Sequence, residues 1–417
     1  MTRTHPGGTR PAPPTTVVVD DHSAGWLSRG FCWVYPKEVA DSGRRPRPGQ
    51  EVAIADRHGR ALGTGLGDDG WLAVRRFRAD PGPLDEPWMA AALETALARR
   101  RGLLPAATTA WRAVHGENDD LPGLRVDVWG PHLHVTLDSP ALRPLLPLLQ
   151  RALMARLDPA RVTLGWRTDP RDTAREERTP ELLWARDPAE AGRAALAFEQ
   201  VVEERGLRFL ARPAAGSDAG LFADMRDNRA WLDRAWAGRR VLNLFAFTGA
   251  FSVFAARGGA AEVVTADLAA TALERSRANL LLNGFDGPEL EFEQEDTFRL
   301  LDRYRRKGRR FDLVLADPPP FSHGPGGAFS VERDLGRLTA ACLRVLDEDG
   351  LLVLACNQGS VAPRAFQKAV EQGASRAGRR LYLLHGGSQP PDFPAAVHFP
   401  EGRYLKLGVW AASGPCA

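Results

Sequence analysis

Val241-Leu-Asn-Leu-Phe-Ala-Phe-Thr-Gly-Ala250, continued by Phe251-Ser-Val-Phe-Ala-Ala256, is the stretch from which the rest of the chain can be read. An apolar run of strand length ends at Thr248-Gly249, and the Ala-rich residues beyond it carry helical spacing. The Gly admits a backbone conformation that other residues resist. A strand, a tight turn and a helix start in this order leave free N–H groups and the positive end of a helix dipole facing outward, a seat for a carboxylate or a phosphate. Plain buried core is the commoner meaning of such a segment taken alone, so its neighbours decide.

Glu262-Val-Val-Thr-Ala-Asp267 reads as a second strand ending in an acid. It lies roughly 20 residues past the turn, the offset at which an acid meets a ribose diol in a Rossmann-like fold. A helix from Ala270 to Leu282 follows. Leu290-Glu-Phe-Glu-Gln-Glu-Asp296 gives a third strand ending in acid, and Phe311-Asp-Leu-Val-Leu-Ala316 a fourth that runs into Asp317-Pro-Pro-Pro-Phe321. Strands alternating with helices, each strand ending in a polar residue, predict an α/β fold: a Rossmann-like, mainly parallel sheet with its site at the strand C-termini.

Composition narrows the class. With 417 residues, 44% hydrophobic and 26% charged, the chain has room for two or three domains of an ordinary soluble protein. A net charge of +3 is too small to argue for nucleic acid by itself. All basic residues except Lys37, Lys307, Lys368 and Lys406 are Arg, but this bias runs through the whole chain and points to genome composition rather than phosphate recognition. Cys32, Cys342, Cys356 and Cys416 have neither the density of a disulfide scaffold nor the paired spacing of a zinc site, which favours a reducing cytoplasm and no metal. The N-terminus lacks the apolar core of a signal peptide, and no apolar run reaches the length of about 18 residues that spans a membrane, so a cytoplasmic location is expected. Residues 1–14, rich in Pro, Gly and Thr, read as a disordered tail.

Residues 15–85 read as a small β-barrel, with short strands punctuated at Asp56-Arg-His-Gly-Arg60, Gly63-Thr-Gly65 and Gly67-Asp-Asp-Gly70. Ser28-Arg-Gly-Phe-Cys-Trp-Val-Tyr35 and Trp71-Leu-Ala-Val-Arg-Arg-Phe-Arg78 mix aromatic and basic residues. Such mixtures stack on bases and hold phosphates, and alternating core and solvent faces of strands produce them equally well. Residues 86–197 read as a central α+β domain: a helix from Trp88 to Arg101, a polar knot at Gly116 to Asp120 between two apolar strands that is a turn or else a binding loop, and a helix-rich, charged passage from Leu142 to Ala191. Residues 198–417 hold the α/β domain. Just before its opening strand, Phe222, Asp224, Arg226 and Asn228 crowd a helix start; a cap explains one Asp, but not the Arg and Asn beside it, which suggests a functional role.

Taken in chain order, the pattern Phe-x-Asp-x-Arg-x-Asn-Arg from Phe222 to Arg229, the stretch Asn243 to Ser252, Asp267, Asp296 and Asp317-Pro-Pro-Pro-Phe321 resemble a known family. They are similar to the class I S-adenosylmethionine-dependent methyltransferases of large-subunit (23S) ribosomal RNA, the RlmI/RlmK group. The likeness covers nearly the whole chain. Arg29-Gly-Phe-Cys-Trp-Val-Tyr35 resembles the opening of the PUA domain in RlmI-type enzymes, His115 to Asp127 their central domain, and Gln389-Pro-Pro-Asp-Phe-Pro394 with Phe399 to Lys406 their C-terminal signature. The resemblance implies S-adenosylmethionine as cofactor and ribosomal RNA as partner. It implies cofactor contacts from Phe222, Asp224, Arg226, Asn243, Phe245, Thr248, Gly249, Asp267, Asp296 and Thr297. It makes Asp317 with Pro318, Pro319 and Phe321 the rigid loop that faces the target base. A homodimer is one expectation for the assembly.

Carbon 5 of cytosine is too poor a nucleophile to take a methyl group from a sulfonium directly. A cysteine thiolate added to carbon 6 makes carbon 5 enamine-like, and proton loss with thiol elimination later restores the ring. Gly350-Leu-Leu-Val-Leu-Ala355 reads as a fifth strand, placing Cys356 in the row where Asp317 ends the fourth. In RlmI-type proteins a Cys at this strand end is the proposed nucleophile. The expected reaction is therefore methylation of cytosine carbon 5, with Cys356 and Asp317 catalytic. Cys342 belongs to an apolar helix, Cys32 to the barrel and Cys416 to the tail. The family's usual Ser and Gly after the strand-end Cys are Asn and Gln here, and Phe329 to Asp334 with Asn357 are closer to RlmK-type enzymes, which methylate guanine nitrogen 7 without a thiol. Guanine nitrogen or an exocyclic amine is thus the alternative target. Asp218, Asn243 and Ala250 depart from the commoner residues, which leaves a non-catalytic RNA-binding factor as a third reading. A nicotinamide enzyme would need the G-x-G-x-x-G turn, which is absent. Arg303-Tyr-Arg-Arg-Lys-Gly-Arg-Arg310 is a candidate RNA strip, or else a solvated helix end.

Overall fold

A computed structural model of the protein describes residues 15–40, 45–167, 180–188, 196, 198–324 and 327–415; the tail expected over residues 1–14 and Cys416 lie outside these. The C-terminal sheet has seven strands: β1 (Arg240–Leu244), β2 (Glu262–Asp267), β3 (Leu290–Gln294), β4 (Phe311–Ala316), β5 (Leu346–Cys356), β6 (Arg379–Gly387) and β7 (Lys406–Pro415). Their order is 3-2-1-4-5-7-6, with β1 to β5 parallel and β7 antiparallel to both its neighbours. The helices of this domain are α1 (Arg226–Leu232), α2 (Ala250–Arg257), α3 (Ala270–Leu282), α4 (Thr297–Lys307), α5 (Val331–Leu343) and α6 (Pro363–Ala377).

The apolar strands explain the layering. Side chains alternate across a strand, so Val241, Val263, Leu313 and Val353 meet one layer of helices and Leu242, Val264, Val314 and Leu352 the other. The first face packs on Phe251 and Phe254 of α2 and Leu280 of α3; the second packs on Leu300 of α4, Leu335 of α5 and Phe366 of α6. Burial on both faces is why these strands read as continuous apolar runs. Because β1 lies between β2 and β4, the winding direction reverses at its C-terminal end, where open α/β sheets bind ligands.

The N-terminal sheet runs in the order Thr15–Val19, Glu51–Asp56, Ala61–Gly67, Val74–Arg78, Trp33–Val34. Its two edge strands send Val17, Val19 and Val34 into one core, so the sheet curls on itself as a small barrel does. The central sheet comprises Ala110–His115, Leu124–Trp129, His132–Leu137, Arg161–Trp166 and Glu181–Ala185, adjacent in that order. Helices Glu86–Ala98 and Leu146–Leu157 pack on it through Met89, Leu93, Leu149 and Leu153. Residues 168–179 and 189–191 of the passage expected to be helix-rich lie outside the described residues; within the rest, Arg161-Val-Thr-Leu-Gly-Trp166 is a strand rather than helix, because Val162 and Leu164 alternate into the core.

Buried ion pairs join the units. Arg75 donates to Asp68 at 2.5 Å and to Glu117 at 3.3 Å, and the Trp33 indole donates to the same Glu117 at 3.0 Å. Asp392, from the Gln389 to Pro394 signature, is buried against Arg226, accepts the Arg112 backbone N–H at 3.0 Å, and gives its carbonyl to Arg100 at 2.9 Å.

Candidate active site

A cavity of about 460 Å³ opens at the C-terminal ends of β1, β2 and β4. Its apolar wall is Phe222, Phe245, Phe247 and Phe298, with the Phe222 and Phe247 rings 5.2 Å apart. The turn after β1 holds this wall in an unusual backbone: Phe245 and Phe247 have φ of +54° and +50°, and Gly249 has +73°. Side chains resist that region, and strain of this kind collects at ligand sites. Thr248 braces the turn, donating to the Gly220 carbonyl at 2.5 Å and giving its own carbonyl to Asn279 at 2.9 Å.

Asp267 and Asp296 line the cavity from the ends of β2 and β3. One Asp267 oxygen accepts Phe247 N–H and the other Ala269 N–H, both at 2.9 Å, which fixes the carboxylate at the rim. Asp296 caps α4 by accepting from Phe298 and Arg299 through a single oxygen, Oδ1. Thr297, Asp317, Pro318 and Pro319 complete this side.

Asp317 is the electrostatic focus. Burial pushes its carboxyl up to about 7, the negative charge of Asp224 adds to the shift, and Arg229 opposes it. Its Oδ1 is buried without a hydrogen-bond partner, and so is Oδ1 of Asn357, which lines the same cavity. Asp224 stands behind, accepting from the Tyr404 hydroxyl at 2.6 Å. Burial raises its carboxyl as well, against the pull of that hydrogen bond. Arg229 pairs with buried Glu204 at 2.7 Å and donates to the Phe222 carbonyl at 2.8 Å, so one buried ion pair holds the Phe222 segment over the cavity.

Of the residues expected at the site, Phe222, Phe245, Thr248, Asp267, Asp296, Thr297, Asp317, Pro318 and Pro319 meet at this cavity. Arg226 does not line it, being buried against Asp392 at the junction with the central domain. Asn243 is buried within β1 and donates to Ser252 at 2.9 Å, and Gly249 sits in the turn against Ser276. Phe321 is 53% exposed at the start of a hairpin. Cys356 is fully buried, one residue before Asn357. Burial raises its thiol, while the Gln358 N–H and the charge of Lys406 pull it down.

Several lining residues escaped sequence reasoning. The hairpin Phe321–Gly324 and Gly327–Ser330 covers one side through Ser322, Gly324 and Phe329. Its signal was the glycine pair Gly324 and Gly327 between two short segments. Arg337 stacks over the Phe298 ring at 3.9 Å, about two helical turns past the hairpin, and nothing local marks it.

A second cavity of about 1050 Å³ lies where the three units meet and shares Asn357 with the first. Trp33, Trp71, Phe399, Arg75, Arg112 and Tyr404 are among its walls. The aromatic residues of the N-terminal sheet thus face the catalytic domain: Trp33 packs edge-on against Trp71 at 4.7 Å and Phe399 at 4.8 Å. The strip from Arg303 to Arg310 is elsewhere and is largely neutralised, with Arg303 on Glu293 and Glu295, Arg305 and Arg306 on Asp302, and Arg309 on Glu262 and Glu291. The solvated helix end is the better description of it.

The first cavity fits a nucleoside sulfonium. Phenylalanines suit a base, Asp267 suits a ribose diol, and the unpaired Asp317 oxygen suits a positive centre. Among the described residues no cluster could hold a metal ion, and no helix is long and apolar enough to cross a membrane. A family model for S-adenosylmethionine-dependent methyltransferases matches residues 190–402, and one for a PUA-like domain matches residues 17–75. The ribosomal RNA large subunit methyltransferase I of Tolumonas auensis is 32% identical over 400 residues, covering 94% of this chain and 98% of that one. The ribosomal RNA large subunit methyltransferase of Deinococcus radiodurans is 36% identical over 389 residues, covering 90% and 92%. A solved structure of a proposed methyltransferase complexed with SAH shares the fold, with a TM-score of 0.83 at 22% identity, covering 95% of this chain and 100% of that one. The chain belongs to the S-adenosylmethionine-dependent methyltransferases, in the RlmI-type group, and S-adenosylmethionine is its cofactor.

Proposed function

We propose that the protein methylates carbon 5 of a cytosine in large-subunit ribosomal RNA, with Cys356 as nucleophile. The names of the relatives support the RNA class. The observation that carries the chemistry is the position of Cys356: it ends β5 beside the end of β4, and the next residue, Asn357, lines both cavities. The larger cavity offers the route for an extruded nucleotide, and its contents meet the cofactor side at Asn357.

Bound S-adenosylmethionine supplies an electrophilic methyl group. Cys356 as thiolate forms a bond to carbon 6, and the ring's double-bond electrons move to carbon 5, which takes the methyl group. Asp317 then accepts the proton from carbon 5, and the sulfur–carbon 6 bond breaks to release thiolate and aromatic base. A carboxyl near 7 exchanges protons readily at neutral pH. Nucleoside mass spectrometry of ribosomal RNA treated with the purified enzyme tests the target, and Cys356→Ala tests the step. The variant is expected to keep cofactor binding by calorimetry and to lose methyl transfer by at least about a thousand-fold; an active Cys356→Ala enzyme refutes the thiol route.

One observation favours a second reading. The fully buried thiol contrasts with two acceptor oxygens without partners, on Asp317 and Asn357 at the cavity wall. Paired acceptors suit an amine or ring N–H, so methylation of a guanine nitrogen or exocyclic amine is the alternative product that the same mass spectrum would reveal.

A further inference from the structure

Lys406 is a buried cation: it is 8% exposed, and among the described residues its ammonium forms no ion pair. Two of its three N–H donors go to backbone carbonyls, Gln358 at 2.6 Å and Tyr404 at 2.8 Å. Burying an ammonium without a negative partner is costly, and the two carbonyls offset that cost only in part. The third donor remains.

Register indicates where that charge acts. Lys406 opens β7 directly opposite Cys356 at the end of β5. Residues facing each other across an antiparallel pair project to the same side of the sheet, with Cβ atoms about 4.5–5.5 Å apart. The carbonyls that hold the ammonium belong to the chain just after Cys356 and to Tyr404, both of which border the larger cavity through Asn357, Gly359 and Tyr404 itself. The charged groups acting on the thiol from the elements around it are Lys406 on β7, Asp317 at the end of β4 and Glu332 on α5. The two carboxylates disfavour thiolate, and Lys406 is the one cation among these groups.

We propose that Lys406 is the positioning residue that holds Cys356 as a thiolate for attack on the base, through a lysine–thiolate contact across β5 and β7. The inference rests on the thiol reading of the function. The thiol gives up its proton to solvent; burial pulls the Lys406 ammonium down while the charge of Cys356 holds it up, and as the ammonium it contributes charge and one N–H. When the sulfur–carbon bond breaks at the end of the cycle, the same contact receives the returning thiolate, so the residue undergoes no net change.

The test is the pH profile of methyl transfer from labelled S-adenosylmethionine to ribosomal RNA purified from a strain lacking the gene. Lys406→Met, close in length and neutral, is compared with Lys406→Arg and wild type. Loss of a neighbouring positive charge is expected to move the rising limb of the profile up by about one unit or more, with roughly ten-fold or greater loss near neutral pH and partial recovery in alkali. Lys406→Arg, which keeps the charge, is expected to keep the wild-type midpoint. A Lys406→Met enzyme with an unshifted midpoint overturns the proposal. If Lys406→Met no longer binds cofactor by calorimetry, the Lys406→Arg midpoint decides: unchanged supports the charge role, and displaced overturns it. Activity in Cys356→Ala would instead remove the thiol reading itself, a separate outcome from a normal pH profile in Lys406→Met.

Discussion

Gly249 is the position in the cofactor turn where a single methyl group has nowhere to go. Its φ is +73°, and a Cβ would stand 1.9 Å from the Ser276 hydroxyl oxygen and 2.8 Å from the Ser276 Cβ. Gly249→Ala is expected to cost about 1–2 kcal/mol for the backbone conformation alone, with the overlap in addition. Thermal melting and cofactor calorimetry should both fall, and adding Ser276→Gly should restore only the steric part; an unchanged melting temperature would contradict the geometry. Asp317 makes a prediction of opposite sign. Its carboxyl titrates near 3.8 when unfolded and near 7 when folded, so between about pH 4 and 7 the folded chain holds a proton that the unfolded chain has lost. Stability from this group therefore falls as pH rises through that window, and the penalty is complete above it. Asp317→Asn should be more stable than wild type at about pH 8, by roughly 2–4 kcal/mol at most, with the difference closing towards pH 4, while methyl transfer is lost. Denaturant titrations at both pH values check it. At this scale the sequence is informative where a strand end defines the position: Asp267 and Asp317 each follow an apolar run, Asp296 follows the alternating Leu290-Glu-Phe-Glu-Gln-Glu295, and all three reach the cavity. It misplaced Arg226, because a charged residue in a motif looks the same whether it faces a ligand or a buried Asp392 more than a hundred residues away.

At the level of elements, the helix and strand alternation of residues 240–356 was legible because β1, β2, β4 and β5 are apolar on both faces, β3 alternates apolar and polar residues at the sheet edge, and each helix is set off from its strand by a turn. The hairpin after Asp317 was not, since its strands are four residues each and most of their residues are Gly, Ser or Ala. Its anchor is Phe329, buried at 5% exposure and packed 5.9 Å from Phe245 and 6.2 Å from Phe298. Phe329→Ala removes the ring that ties the hairpin to the wall of the cofactor cavity. The expected result is about 3 kcal/mol of lost stability, and weaker cofactor binding by about ten-fold or more as the Phe245 and Phe298 rings lose their support. Phe329→Leu, which refills most of the volume, should recover most of both. Calorimetry showing wild-type affinity in Phe329→Ala would mean that the hairpin is not part of the cofactor wall.

Across the whole molecule, the three units are bound by charges that no short window of sequence could pair. Arg226 from α1 and Asp392 from the C-terminal signature are both buried, and Asp392 also receives the Arg112 backbone of the central sheet. One carboxylate thus ties the catalytic domain's first helix and last strands to the central domain. Removing one partner leaves the other charge buried without compensation, so Arg226→Met and Asp392→Asn should each cost about 3–5 kcal/mol. Removing both should cost less than the sum, because neither charge is then stranded, and the coupling from the double-mutant cycle measures the tie. The same cycle separates two roles for Arg226. If it serves as a joint, Arg226→Met and Asp392→Asn weaken cofactor binding alike, and only to the extent that they unfold the protein. If it touched the cofactor, Arg226→Met alone would lose affinity at temperatures where both variants remain folded. Calorimetry at low temperature on the two single variants makes that comparison, and the position of Arg226 outside the cavity predicts equal, near-wild-type affinities.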